Sequence, residues 1–157
     1  MADVSGHDGA AMMRASPQHA AVLAALHASS FPAPWSPTEF DVLLRQPGVG
    51  AWIVSEGAEP AGFILVRVVA DEAEILTLAV APNYRRKGLG ARLIGEAGAT
   101  LTAGNTAQFF LEVAADNAGA LALYARAGFA VCGRRAGYYK NRTVDAVLMR
   151  RSLSGGE

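Results

Sequence analysis

Hydrophobic and polar positions change period several times along the chain, and each change marks an element. Residues 11–15 read as a short strand. Ser16 then stands as an N-cap with Pro17 at the first helical position, and Val22, Leu23, Ala25 and Leu26 form an apolar stripe, which predicts a first helix. Pro32, Pro34 and Pro37 forbid a continuous helix through the next stretch. Ser36-Pro37 opens a second helix with Glu39 at the capping-box position, and Pro47-Gly48 ends it. Alternating and apolar runs follow: "GAWIVSE", "PAGFILVRVVA" and "EILTLAV", separated by short connections at Gly57–Pro60 and at the acidic tip "DEAE". They read as an antiparallel meander. From Gly88, the residues Leu89, Leu93, Ile94, Ala97 and Leu101 recur at helical spacing to about Ala103, where "GNT" breaks the pattern. "AQFFLEVAA" is a strand, "DNAGALALYARAG" an Asp/Asn-capped helix, and "FAVCGRRAGYY" with "TVDAVLMRR" a terminal hairpin.

The predicted order is β-α-α-β-β-β-α-β-α-β-β, a mixed α/β fold with one domain over residues 11–151. Polar, Gly-rich residues 1–10 and residues 152–157 read as tails. At 157 residues, 52% hydrophobic and 18% charged, the chain can bury a substantial core. Fourteen Lys and Arg balance fourteen Asp and Glu, which disfavours nucleic-acid binding through a generally basic surface. The single cysteine, Cys132, precludes an intramolecular disulfide and reads as a small buried apolar residue. No apolar run reaches the roughly 18 residues of a membrane span. A cytoplasmic protein, monomeric or weakly dimeric, is the expectation. His7, His19 and His27 show no metal-ligand spacing, so no metal is expected.

The stretch "NYRRKGLGARL" carries the first candidate chemistry. Arg85, Arg86 and Lys87 run into Gly88 and Gly90 between a strand and a helix. A helix N-terminus offers unpaired N–H groups and a positive dipole end, and glycines let an anion approach the backbone. The spacing is neither a Walker A loop nor G-x-G-x-x-G. On charge and glycine alone, a merely solvated turn explains the segment as well as an anion site does.

The spacing Arg85-x-x-Gly88-x-Gly90, after the strand "LAVAP", resembles the [QR]-x-x-G-x-[GA] signature of the GNAT N-acetyltransferase superfamily. The resemblance extends through "FFLEVAADNAGALALYARAGF", where Asn117, Ala120, Leu123, Tyr124, Gly128 and Phe129 fall at the family's spacing without a gap. It is strongest to the RimI-like branch, the ribosomal-protein-alanine N-acetyltransferases, through L-E-V, A-L-Y, "SFPAPW" and "RRAGYY", and it covers about residues 13–151. The segment "KNRTVDAVLMRR" resembles the family's D-A-[IVL]-x-M strand but departs by its short join to the Tyr-Tyr pair. The resemblance implies a mostly antiparallel sheet of about seven strands flanked by about four helices, with a splayed parallel pair in the middle. It implies acetyl-CoA as co-substrate, held by backbone groups of Leu78, Ala79 and Val80, by Arg85, Arg86, Lys87, Gly88, Leu89, Gly90 and Ala91 around the pyrophosphate, and by Asn117 and Tyr124.

Acetyl transfer to nitrogen needs a neutral amine, yet an α-amine has pKa about 7.7–8 and a lysine amine about 10.4. A base is therefore required. Glu112 interrupts an apolar strand, and apolar neighbours Phe109, Phe110 and Leu111 could raise its pKa toward working pH. The Tyr124 phenol, intact at pH 7, can protonate the departing thiolate. Solvation of Glu112 and core packing of Tyr124 are the bland alternatives. The resemblance assigns the same roles, Glu112 as base and Tyr124 as acid. Acceptor walls are expected from Phe31, Pro32, Trp35, Tyr138 and Tyr139, with Glu112 among them, and for Trp35 packing is an equal alternative. The expected reaction is acetylation of a protein N-terminus, with a ribosomal protein beginning with Ala as the favoured acceptor. Rivals are a lysine side chain or small amine as acceptor, a non-catalytic acyl-CoA-binding module, and a nucleotide-binding loop.

Overall fold

The computed structural model describes residues 10–153. Of the expected tails, only Ala10, Ser152 and Leu153 fall within it; the rest lie outside the described residues. Strand β1 (Ala10–Arg14) leads through a 3-10 turn (Pro17–His19) into α1 (Ala20–Ala28), followed by α2 (Pro37–Leu44). Strands β2 (Val49–Glu56), β3 (Glu59–Val69) and β4 (Glu72–Val80) form the meander. Helix α3 (Leu89–Ala103), β5 (Gln108–Ala114), α4 (Ala118–Arg126), β6 (Ala130–Tyr139) and β7 (Val144–Ser152) complete the fold. The seven strands make one sheet in the order β1-β2-β3-β4-β5-β7-β6, antiparallel everywhere except between β4 and β5.

The element order matches the pattern of the sequence, and the departures have physical causes. Beta-4 begins at Glu72, so the turn is at Ala70 and Asp71 and two acids of "DEAE" belong to the strand rather than to a tip. The apolar stripe of α1 is Leu23, Ala24, Leu26 and His27, while Ala25 is exposed. Leu23, Ala24 and His27 share a face at helical spacing, and Ala25, two positions from both Leu23 and His27, falls on the opposite side of a 3.6-residue turn. Cys132 is exposed. It is the extra residue of a bulge between Val131, opposite Met149, and Gly133, opposite Leu148, on the edge strand β6, where Ala130 and Val131 are exposed too, so nothing among the described residues covers either face of the strand at this point.

Each face of the sheet carries its own core. Against α3 and α4 pack Val54, Ile64, Val66, Ile75, Phe109, Leu111, Val113 and Met149 with Leu89, Leu93, Ile94 and Tyr124. Against α1 and α2 pack Ala51, Ile53, Phe63, Leu65 and Ala79 with Leu23, Leu26 and Phe40. Each fully buried large apolar side chain contributes roughly 1.5–3 kcal/mol.

His27 belongs to this second core. It is 3% exposed, stacks on Phe31 at 4.2 Å and Trp35 at 4.8 Å, and meets Phe40 edge-on at 5.4 Å. Its Nδ1 accepts the Trp35 backbone N–H at 3.0 Å, which requires the neutral ring with its proton on Nε2. Burial lowers its pKa from 6.5, opposed by the Glu39 carboxylate. A lowered native pKa means that this group's contribution is complete above pH 6.5 and is lost as pH falls toward the native value. Urea unfolding should therefore show falling stability below pH 6.5. His27→Phe should remove that part of the acid limb and cost about 1–2 kcal/mol at neutral pH, because the Trp35 N–H loses its acceptor.

Candidate active site

Beta-4 and β5 pair only over Glu72–Glu74 with Gln108–Phe110. Just beyond, the β3–β4 register shifts from Val66 opposite Ile75 to Leu65 opposite Thr77, which leaves Leu76 as an extra residue. A bulge bends its strand, and here the bend carries the rest of β4 away from β5, whereas β5 stays paired to β7 as far as Ala114. The Ala81 N–H donates to the Ala61 carbonyl on the β3 side. By strand alternation the backbone groups of Leu78 and Val80 face the gap, and those of Ala79 face β3.

The loop after β4 passes a 3-10 turn (Pro82–Tyr84) and then two left-handed residues, Arg86 at φ 65° and Gly88 at φ 79°. Gly88 is the N-cap of α3, a position where L side chains are strained. The first helical bond runs from the Arg92 N–H to the Gly88 carbonyl, so the N–H groups of Leu89, Gly90 and Ala91 have no acceptor within the helix. Gly90 has another reason to lack a side chain. A Cβ there would stand 3.1 Å from Leu123 Cδ2, so its smallness serves the packing of α3 on α4.

The loop cations separate by partner. Arg85 donates through Nε to the Val80 carbonyl at 2.8 Å and through Nη2 to Ser30 Oγ at 2.9 Å. Lys87 Nζ lies 5.6 Å from the Tyr84 ring centroid. Asn117 caps α4 by accepting the Ala120 N–H at 3.1 Å, which leaves its amide nitrogen available.

Glu112 and Tyr124 stand on opposite sides of β5. Phe110 and Glu112 alternate with Leu111 and Val113, which pack in the core that also contains Tyr124. The apolar setting expected for Glu112 is therefore incomplete, since Phe109 and Leu111 point to the other face. Instead Arg135 Nη2 stands 2.7 Å from Glu112 Oε2. That oxygen is buried yet lacks an aligned donor, so the contact is a charge attraction rather than a well-directed hydrogen bond. Tyr124 is 8% exposed, and burial pushes its phenol up to about 12.

Glu112 lines a cavity of about 350 Å³ with Arg67, Glu72, Glu74, Phe110, Arg135 and Leu148. Two acids of "DEAE" are thus walls of the cavity, with Arg67 Nη2 3.7 Å from Glu74. The aromatic wall residues fall into two groups. Phe31, 37% exposed, and half-buried Trp35 stack on His27, and Trp35 also packs on Phe40 at 5.5 Å. Tyr138 and Tyr139 meet edge-to-face at 4.9 Å, with Arg135 over the Tyr138 ring. Burial and then the Glu112 charge raise the Tyr139 pKa, so its hydroxyl remains a donor near the carboxylate. Asp145 braces this corner. Its oxygens accept the Gly137 N–H at 2.9 Å and pair with Arg134 at 3.0 Å, across a register break between Arg135 and Tyr139. The Gly137 N–H and then Arg134 lower its pKa from 3.8. Neither Asp145 nor His27 was a site candidate from the sequence. Asp145 had only its place in the resemblance of the last strand as a signal, and His27 had none. Among the described residues, no group of three or more His, Cys, Asp or Glu could hold a metal ion.

Residues 20–129 match the acetyltransferase (GNAT) family. The chain belongs to that family. It is an acetyl-CoA-dependent N-acetyltransferase. The chain is 37% identical over 125 residues to the N-alpha-acetyltransferase RimI of Mycobacterium tuberculosis, covering 75% of each. It is 36% identical over 103 residues to the ribosomal protein bS18-alanine N-acetyltransferase of Escherichia coli, covering 64% of this chain and 70% of the other. The crystal structure of the ribosomal-protein-S18-alanine N-acetyltransferase from Escherichia coli superposes with a TM-score of 0.86 at 27% identity, over 94% of this chain and 96% of that one. The residues present fit the family's acyl donor: an open strand edge meets a helix start with free N–H groups and adjacent cations. Among the described residues, no helix is long and apolar enough to cross a membrane.

Gly88→Ala should cost about 1–2 kcal/mol in urea unfolding, the strain of a left-handed non-glycine residue. It should also weaken acetyl-CoA binding in calorimetry, because the helix start would reorient.

Proposed function

We propose that this acetyltransferase modifies the α-amine of a protein N-terminus, with Glu112 as base and Tyr124 as acid. The observation that carries the reading is the position of Glu112. It stands on one face of β5, two residues beyond the last β4–β5 pair, lining a cavity whose β4 wall is the still-paired Glu72–Glu74, and the buried phenol of Tyr124 lies on the other face. An acyl donor in the gap would lie between them. The backbone groups of Leu78 and the Val80 N–H would pair with its pantetheine amides as a strand does. The N–H groups of Leu89, Gly90 and Ala91, with Arg86 and Lys87, would hold its pyrophosphate.

In this reading Glu112 takes a proton from the acceptor ammonium, directly or through one water. The freed lone pair attacks the acetyl carbonyl; as the tetrahedral adduct collapses the C–S bond breaks, Tyr124 gives its proton to the departing thiolate, and the second proton lost by the nitrogen passes through water to restore the phenol. At a pKa of about 12 the phenol keeps its proton throughout the working range, though it is a weaker acid than free tyrosine. It therefore acts as much by hydrogen-bonding the developing thiolate as by full transfer. Arg135 and Tyr139 orient the carboxylate, and the cavity with Tyr138 receives the chain behind the amine. Phe31 and Trp35 would wall the site from the α1–α2 side. The Escherichia coli relative, matched both in sequence and as a crystal structure, carries an alanine N-acetyltransferase name with ribosomal protein S18 as acceptor. The favoured acceptor here is likewise the N-terminal Ala of a ribosomal protein, met in the cytoplasm.

One observation favours a second acceptor, a lysine or small polyamine: Glu72, Glu74 and Glu112 line the cavity against two arginines, Arg67 and Arg135, which leaves an excess of negative charge. Free thiol release from acetyl-CoA separates the two. A peptide with a free N-terminal Ala and no Lys should turn over, and an N-terminally blocked peptide with one internal Lys should not; the reverse result would move the function to lysine. Glu112→Gln should lower turnover at neutral pH by about 100-fold or more while leaving acetyl-CoA affinity within a factor of about two, as removal of a proton acceptor alone requires. Unchanged turnover would remove Glu112 from the base role.

A further inference from the structure

Arg85 opens the glycine signature, where motif logic aims it at an anion. The structure gives it protein partners instead. Its Nε and Nη2 form one of the two edges with which a guanidinium can grip an anion. That edge is engaged by the Val80 carbonyl at 2.8 Å and Ser30 Oγ at 2.9 Å. Ser30 Oγ is itself 3.5 Å from the same carbonyl, so three groups converge at the free end of β4. Ser30 is the second residue past α1. Its N–H and that of Phe31 both donate to the His27 carbonyl at 3.0 Å, and the His27 ring accepts the Trp35 N–H at 3.0 Å. An unbroken set of hydrogen bonds therefore runs from the glycine loop to both aromatic residues of the α1–α2 segment. Among the described residues Arg86 and Lys87 make no ion pair, so loop charge remains for a pyrophosphate without Arg85.

We propose that Arg85 is a positioning residue for the acceptor wall: it ties Ser30, and with it Phe31 and Trp35, to the splayed end of β4 instead of binding the pyrophosphate. The inference rests on the reading that the α1–α2 segment walls the acceptor site. Because the tether starts in the glycine loop, the two substrate sites share one brace.

Two variants separate this role from an electrostatic one. Ser30→Ala removes the tether and leaves the Arg85 charge in place; Arg85→Gln removes both. Each should raise the acceptor KM about three- to tenfold, the scale of one lost hydrogen bond, with acetyl-CoA affinity in calorimetry within about twofold of wild type. The double variant should be no worse than Arg85→Gln, since both remove the same link. Amide hydrogen exchange over residues 30–35, measured without acceptor, should quicken in both variants. Unchanged exchange, or acetyl-CoA affinity falling about tenfold or more in Arg85→Gln while Ser30→Ala is silent, would overturn the proposal and return Arg85 to the pyrophosphate. If exchange quickens while the acceptor KM stays at the wild-type value, the proposal also falls, because the tether would not serve the acceptor. If the wild-type enzyme does not use the N-terminal Ala peptide, the proposed acceptor fails, while calorimetry and exchange still decide the part played by Arg85. Should Arg85→Gln unfold, Ser30→Ala alone carries the test.

Discussion

The parallel pairing of β4 with β5 lasts for three residues and then fails, and the site is organised by that failure. The extra residue in β4 at Leu76 falls two positions after the last residue paired to β5, Glu74. A sheet that had stayed closed would have tied the backbone groups of Leu78 and Val80 to β5. Because it opens, the Leu78 groups and the Val80 N–H are available to a ligand, and Glu112 and Tyr124 stand on the two faces of β5 beside the opening. The cost of unpaired backbone is reduced where the chain can reduce it: the Val80 carbonyl takes the Arg85 guanidinium.

An opening of this kind needs rigid margins, and different interactions supply them on each side. On the β4 side, the α1–α2 segment is fixed by His27 and by the Arg85–Ser30 link. On the β5 side, β7 remains paired along the full length of β5, and Asp145 holds the irregular end of β6 that presents Tyr138 and Tyr139. Arg135 reaches from β6 over β7 to Glu112, so the carboxylate is oriented by a strand that is not its neighbour. Helices α3 and α4 close the back through Gly90, whose missing side chain admits Leu123.

Much of this was legible in the sequence because it is local. The Ser36–Glu39 capping box forms as its spacing requires, with N···O distances of 2.7 and 3.1 Å. Helix α3 begins one residue after Gly88 and ends at Ala103, where its period ends. The meander and the terminal hairpin follow from alternation and turn residues. Failures came where spacing along the chain does not show what covers a side chain. Cys132 sits on an edge strand exposed on both faces there, and Ala25 lies opposite the face of α1 that Leu23 and His27 share. Counting neighbours along the chain also surrounded Glu112 with Phe109 and Leu111, which a strand sends to the opposite side.

By itself the sequence determined the order of elements, the caps of α2, α3 and α4 and the glycine loop, since each depends on residues within a few positions of one another, and its family resemblance singled out the two candidate proton-transfer residues. Tertiary structure alone decided that Arg135 stands against Glu112, that Arg85 grips Ser30 across 55 residues, and that His27 is buried as a hydrogen-bond acceptor. It also decided that Glu72 and Glu74 face the cavity. Those facts depend on strand register and on two bulges. A single inserted residue reverses which side chains face which side, and no pairing of distant residues can be read from the spacing within either segment.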